Sequence, residues 1–539
     1  MSDDVILFNV HSYYTLLNGT NSIDNLIDNC KANNLPSLAL TDTNCMNGLI
    51  SFSRAAHNAK IKPILGTQIS EPNKENIYAI FLAKNLRGYS KLCNIITSRA
   101  LNNDFSLFKL LRKKQDDLFL ITPSSELLNQ IPQYDNIFAE LRISKRNKRA
   151  TRELYNFAQE NNIGCLPSQP VYFSSKDDYI IHKVVTAIRK KDTIANLNPE
   201  DLAEEINYFP TKAKYSKNWE SFPELLDNAE TVEKSIEDRI DLSKYKFPEF
   251  RNHKGIPSRD FLAELAFEGL YRKKPKPDQN SIDRLLNELE VIDELGYSDY
   301  FLVVSDIIRE SKKRGILSLG RGSVANSLTA FCLDFVDVDP TKNGLFFERF
   351  LNRGRLSPPD IDIDFSWRER DEIIKYIFEK YGYDKIAMIC TTVTFRARSA
   401  FREVAKVYGL TDSEISKYSK FIPWTSPKNL PNLAKLFPES KKLKFDEEPF
   451  RSIISIASRL SNFPRHLSIH PSGIVISPEK ISDYCGLQYA KNKGLGLIVT
   501  QTDMYSLDDL GLVKIDLLSQ RSLGVLRDSL RRIKKQSLF

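Results

Sequence analysis

The sequence predicts a multidomain α/β protein, and three observations predict it. Short apolar runs alternate with helical patterns through residues 1–241. At 358–365 the stretch PPDIDIDF places aspartate at every second position. A basic helical stretch at 394–471 then separates that strand from a second apolar one, LGLVKI, which runs into Asp516. A length of 539 residues is enough for two to four domains, each with its own core.

In the first block, ILFNV (6–10), SLALTD (37–42), IKPILGTQI (61–69), IYAIFLA (77–83), LFLIT (118–122) and NIFAELRI (136–143) read as strands. Helical patterns at 23–33 and 49–59 fall between them. Such alternation implies a largely parallel sheet or barrel. A polar connection with Pro248, Pro257, Pro275 and Pro277 follows and carries one helix, 258–271. The next helix, 281–295, lines up Ile282, Leu285, Leu286, Leu289, Ile292 and Leu295 on one stripe and ends at Gly296. Residues 299–315 form another.

Composition narrows the classes. Hydrophobic content of 41% and charged content of 27% are ordinary for globular protein. No apolar run is long enough for a membrane span, and MSDDVILFNV lacks the pattern of a secretory signal. Seven cysteines without Cys-x-x-Cys spacing point to reduced thiols in a cytoplasmic protein, with no zinc site and no disulfide frame. A net charge of +8 permits a polyanionic partner without requiring one.

Alternation in a strand sends Ile361 and Ile363 to a core and Asp360, Asp362 and Asp364 to the other face, with successive aspartate Cα atoms roughly 6–7 Å apart. Unpaired carboxylates so placed repel, and a strand holds them most reasonably for divalent cations. Mg²⁺ favours carboxylates combined with substrate phosphates. The alternative is an edge strand with a solvated acidic face. Upstream, Gly320-Arg321-Gly322-Ser323 precedes a helical pattern through Ala325, Leu328 and Phe331. Glycines there let backbone N–H groups approach a phosphate, and Arg321 and Ser323 add donors. The same residues also suit a plain turn and N-cap.

Longer motifs carry a resemblance. HSYYTLLNG and LALTDTNCMNGL resemble the PHP domain, a distorted α/β barrel, over residues 1–241. The family's metal ligands are largely replaced: Asn9-Val10-His11 stands for His-x-His, Thr41-Asp42-Thr43 for Thr-Asp-His, Gln68 for a glutamate, and Gln169-Pro170-Val171 for Asp-x-His. His11 and Asp42 alone imply a structural, metal-free barrel. LGYSDYFLVVSDII, GRGSVANSL, DVDP, LFFERFLNRGRLSPPDIDIDF and GLVKIDLL follow one another as in the bacterial replicative DNA polymerase III α-subunit family (C-family, DnaE type), whose palm is of the polymerase-β nucleotidyltransferase kind.

This resemblance implies a PHP domain at 1–241, a palm at 242–393 and 472–539, and an inserted helical thumb at 394–471. Asp362, Asp364 and Asp516 are then the catalytic ligands of two Mg²⁺ ions. Gly320, Arg321, Gly322, Ser323 and Lys514 become phosphate- or nucleotide-binding residues. Arg349, Arg355, Arg396, Arg398, Arg402, Arg465 and His470 become DNA contacts. The implied activity is DNA-directed DNA polymerisation, with primer–template DNA and dNTPs as partners and no membrane. The family's fingers and clamp-binding regions are not found after Asp516. The sequence therefore also leaves room for a split-half, DNA- or partner-binding fragment that needs a second polypeptide. Ser519 stands where the family usually has glycine.

Overall fold

Apolar period-two runs become strands where both faces can be covered. In the computed structural model, which describes residues 5–132, 134–238, 246–354, 358–441, 443, 445–490 and 496–536, the first block folds around a six-stranded sheet. Its strands, β1 (Ser37–Leu40), β2 (Lys62–Glu71), β3 (Lys74–Ala83), β4 (Leu118–Thr122), β5 (Ile137–Arg142) and β6 (Gly164–Ser168), pair in sequence order. The pairs β1–β2, β4–β5 and β5–β6 are parallel, while β3 runs antiparallel to both neighbours.

The expected strand at 6–10 is extended but forms no continuous ladder. Ala39 and Thr41 donate to Leu7 and Val10, while across the other side His11 N donates to Val171 O and Val171 N donates to Asn9 O. This segment thus sits between β1 and the residues after β6, and it draws the curled sheet toward closure. Two backbone bonds on each side, rather than a continuous run of them, explain why periodicity alone overstated it.

The pocket that the PHP resemblance marks as a metal site is occupied by a hydrogen-bond network of the chain's own side chains. His11 is fully buried and its Nε2 donates to Asn9 Oδ1 at 2.8 Å. Asn9 in turn donates to Glu140 Oε1 at 2.6 Å, and Ser168 and Tyr78 donate to the same carboxylate. Asp42 accepts from the backbone and hydroxyl groups of Ser12 and Thr15. Asn9, His11, Asp42 and Glu140 are thus all engaged with protein partners, whereas the buried Gln68 Oε1 has no hydrogen-bond partner among the described residues.

The second block builds a seven-stranded mixed sheet from β7 (Ser318–Arg321), β8 (Asp362–Ser366), β9 (Ile386–Thr394), β10 (Pro464–Ile476), β11 (Leu487–Tyr489), β12 (Ile498–Asp503) and β13 (Lys514–Gln520). The order is β11-β12-β9-β10-β13-β8-β7. Ile361, Ile363 and Phe365 face a core with Ile373, Ile377 and Phe378, and helices Gln279–Glu294 and Ser298–Lys313 supply Leu285, Ile292, Phe301 and Val304 to it. Between β9 and β10 lies the helical insert. Its helices Ala397–Val407 and Phe450–Arg459 pack through Phe401, Val404, Ile453 and Ala457 against Ile181, Val184 and Val185 of helix Tyr179–Lys190. The two blocks share one apolar cluster, in which Ala387, Ile389 and Val475 meet first-block residues. Polar bonds reinforce that junction, among them Met46 N to Gln501 Oε1 at 3.0 Å and Arg54 to Asp509 at 2.7 Å.

Burial leaves two histidines uncharged. The His11 pKa is lowered to about 3 and the His182 pKa to about 4, both chiefly by desolvation. His182 Nδ1 donates to Asn18 O, and its Nε2 accepts from Ala203 N. Depressed histidine values mean that the unfolded chain takes up protons which the folded chain refuses, so stability falls as pH drops. Between pH 6.5 and about pH 4, His182→Gln should flatten the pH dependence of urea-unfolding free energy by at most ~1.4 kcal/mol per pH unit. Parallel curves for variant and wild type would contradict this.

A carboxylate site on the second sheet

The site is made by strand register. β8 and β13 run parallel, and Asp516 pairs with Asp362 while Leu518 pairs with Asp364. Residues paired across adjacent strands share a face, so Asp362, Asp364 and Asp516 converge there. Asp360 precedes β8 and is exposed. β7 runs antiparallel on the other side of β8 and sets Arg321 opposite Asp362. Arg321 Nε lies 3.8 Å from Asp362 Oδ2 and 3.6 Å from Asp364 Oδ1. Lys514 shares the face as alternation required, and its Nζ donates to Asp516 Oδ2 at 2.8 Å.

Three residues that support these carboxylates were not singled out from the sequence. Ser472 Oγ donates to Asp516 Oδ1 at 2.8 Å, and Gln520 Nε2 donates to Asp364 Oδ1 at 3.2 Å. Gly473 pairs directly with Asp516, and a methyl group there would stand 2.7 Å from Ile389 Cδ1. Gln520 could have been found, because it lies two pairs beyond Asp516 on the same face. Ser472 could not, since it sits in a register break of β10 between Ile469 and Ile474. Such bulges re-aim side chains in ways that period two does not foretell.

His470 lies in the same break. Its Nδ1 accepts from Gly473 N at 2.8 Å and stands 3.9 Å from Asp516 Oδ1. That acceptor role assigns the proton of the neutral ring to Nε2. Burial lowers the His470 pKa, with Lys514 and Arg370 acting in the same sense and Asp516 opposing them. For Asp362, desolvation and then the Asp516 charge raise the pKa, which Arg321 and Lys514 partly offset.

The glycine-serine segment is built differently from the expectation. Gly320 N donates to Phe335 O, and a Cβ on Gly320 would meet that oxygen at 2.5 Å, so this glycine serves close packing. Only a 3₁₀ stretch, Gly322–Asn326, follows, and the α-helix starts later, at Leu328–Cys332. Its N-terminus already holds an anion: the buried Glu288 accepts from Ser327 Oγ, Leu328 N and Thr329 N at 2.8–2.9 Å. Arg284 pairs with Glu288 at 3.0 Å. The helix-dipole argument for Ser323 therefore fails, because the chain's own carboxylate occupies that position. Arg321 remains on the site face, and Gly322 and Ser323 lead away from it.

The arginine candidates divide. Arg349 and Arg396 are exposed and in no ion pair among the described residues. Arg398 is bound through two nitrogens to Ile422 O, Arg465 pairs with Glu403 at 2.7 Å, and Arg402 approaches Asp412 at 3.7 Å. Arg355 lies outside the described residues. Residues 394–471 hold fourteen Lys and Arg against seven Asp and Glu, so this insert carries +7 of the chain's +8.

Among the described residues, no three His, Cys, Asp or Glu side chains form a closed cage for an ion. The donor set fits a divalent metal all the same. Hard carboxylate oxygens on one sheet face, with the rest of the coordination sphere left to water and phosphate, suit Mg²⁺ better than a full protein cage does. Glu288 gives a direct test of the scaffold beneath. Glu288→Ala leaves Arg284 without its anion and two backbone donors unmet, and should cost ~3–5 kcal/mol in urea denaturation; a loss below ~1 kcal/mol would show the network to be dispensable.

Comparison with known proteins agrees with this architecture. Residues 8–164 match the PHP domain, and residues 260–519 match the bacterial DNA polymerase III alpha NTPase domain. The DNA polymerase III subunit alpha of Bacillus subtilis is 31% identical over 98% of this chain and 49% of its own length. That of Escherichia coli is 30% identical, over 98% and 49%. The error-prone DNA polymerase of Symbiobacterium thermophilum is 30% identical, over 97% and 52%. The chain thus spans about half the length of these relatives. With both domains in this order and similarity along nearly its whole length, the chain belongs to the bacterial DNA polymerase III α-subunit family and corresponds to its N-terminal half.

Proposed function

We propose that this chain is the palm-bearing portion of a cytoplasmic DNA-directed DNA polymerase, which extends a primer 3′-hydroxyl on template DNA using dNTPs. The observation that carries the proposal is the pairing of Asp516 with Asp362, with Asp364 on the same face. Residues 1–241 form the PHP domain in this reading, 242–393 and 472–539 the palm, and 394–471 the thumb. A second polypeptide carrying fingers and clamp-binding regions is the proposed further partner.

Two Mg²⁺ ions held by Asp362, Asp364 and Asp516 would acidify the primer hydroxyl and stabilise the departing pyrophosphate. The chain's own residues prepare that step. Ser472 and Gln520 fix the orientation of Asp516 and Asp364, so the carboxylates need not reorganise. Arg321, half exposed beside both β8 aspartates, is the guanidinium placed to pair with triphosphate oxygens. Lys514 offsets the negative charge gathered at Asp516 and Asp362 and can meet a phosphate on the same face. The proton on His470 Nε2 is available to a phosphate or sugar oxygen. The basic insert supplies charge for gripping duplex phosphates.

Primer extension at low salt with Mg²⁺ and four dNTPs should fall to background in Asp364→Asn while the circular dichroism of the chain is unchanged. Extension that survives the substitution would contradict the assignment. The two kinds of insert arginine should behave differently. Arg396→Ala should reduce the salt dependence of DNA binding by about one unit of log–log slope. Arg398→Ala should instead lower the unfolding midpoint, because it strands the Ile422 carbonyl.

A further inference from the structure

Trp424 is 82% exposed, against 7% for Trp219 and 49% for Trp367. A tryptophan presents a large apolar surface, and leaving it in water forgoes the stabilisation of burial. The loop that carries it is nevertheless not loose. Ala397 N donates to Thr425 O at 2.9 Å, and Asn429 Nδ2 donates to Thr425 Oγ1 at 2.8 Å. Ser426 and Ser461 hydroxyls bond at 3.0 Å, and Arg398 clamps Ile422 O from the preceding side. Ile422, Leu430 and Pro427 are buried on either flank. The backbone is pinned both before and after the ring, while the ring itself is left outside.

Its surroundings are cationic. The Arg396 guanidinium lies over the indole, 5.1 Å from the centroid. Lys420 sits over Phe421 at 4.9 Å, and Lys428 is exposed four residues beyond Trp424. None of these three cations is in an ion pair among the described residues, and together they sit in the module that holds most of the chain's net charge. A rigidly presented aromatic face with the Arg396 guanidinium against it, on a loop that carries Lys420 and Lys428 as well, is complementary to a base with its phosphates. An apolar protein partner would not call for the unpaired cations.

We propose that Trp424, with Arg396, is a stacking platform for an unpaired base of single-stranded DNA. The inference rests on the DNA-polymerase reading and adds a site outside the carboxylate face. A duplex hides the faces of its bases in the stack, so the platform distinguishes single strands from duplex, whereas phosphate contacts alone do not.

The test uses the full chain in EDTA, with an oligothymidylate of about a dozen nucleotides and a duplex of equal length, read by fluorescence anisotropy. Trp424→Ala should weaken single-strand binding about tenfold, Trp424→Phe should retain most of it, and duplex affinity should change by less than about twofold. Tryptophan emission should be quenched by oligothymidylate in wild type and much less in Trp424→Phe. Equal single-strand affinity for wild type and Trp424→Ala overturns the proposal, as does an equal loss on both DNAs. Thermal unfolding should be unchanged in either variant; a lowered midpoint would assign the ring a structural role instead. Lost primer extension with this binding pattern intact would refute the polymerase reading but leave the platform standing.

Discussion

The candidate site depends on one pairing, that of β13 with β8. A parallel register with Asp516 beside Asp362 sets two carboxylates on neighbouring strands of one face, and the apolar alternation of both strands forbids any slip. A shift of β13 by one residue would drive Ile515 and Leu517 into water and Asp516 into the core. The like charges so imposed are offset by Lys514 and Arg321, each delivered by the same strand geometry. The raised pKa of Asp362 is the residue of repulsion and desolvation that these cations leave uncancelled.

The two blocks treat buried acidity in opposite ways. In the first, His11, Asn9 and Glu140 form one bonded chain with Ser168 and Tyr78, and Asp42 is held by Ser12 and Thr15. That region acts as a scaffold, and helix Tyr179–Lys190 passes its support on to the basic insert. In the second block the carboxylates keep partners on one side and an open face on the other.

Much of this was legible in sequence, because period-two alternation in DIDIDF and in GLVKIDLL fixes both face and register to within the strand. Five of the six strands of the first sheet, β1 to β5, were legible as short apolar runs, and β6 (Gly164–Ser168) was not among the expected strands. What was hidden was non-periodic. The segment at 6–10 makes only two backbone bonds to each neighbour and no continuous ladder, so its apolar run overstated a strand. Ser472 reaches Asp516 only through a bulge, and Glu288 reaches the helix at Leu328–Cys332 from forty residues upstream. Arg398 and Arg465 look like DNA contacts in sequence, and only three-dimensional packing reveals the carbonyl and the carboxylate that hold them.

The claim that Asp362 and Asp516 act as one ligand pair is tested most directly by Mn²⁺ binding followed by electron paramagnetic resonance, in wild type, Asp362→Asn, Asp516→Asn and the double variant. A shared ion requires each single substitution to remove nearly all of the binding, with the double variant little worse than either. Independent, additive losses, or binding indifferent to both substitutions, would contradict a site built by the β8–β13 register.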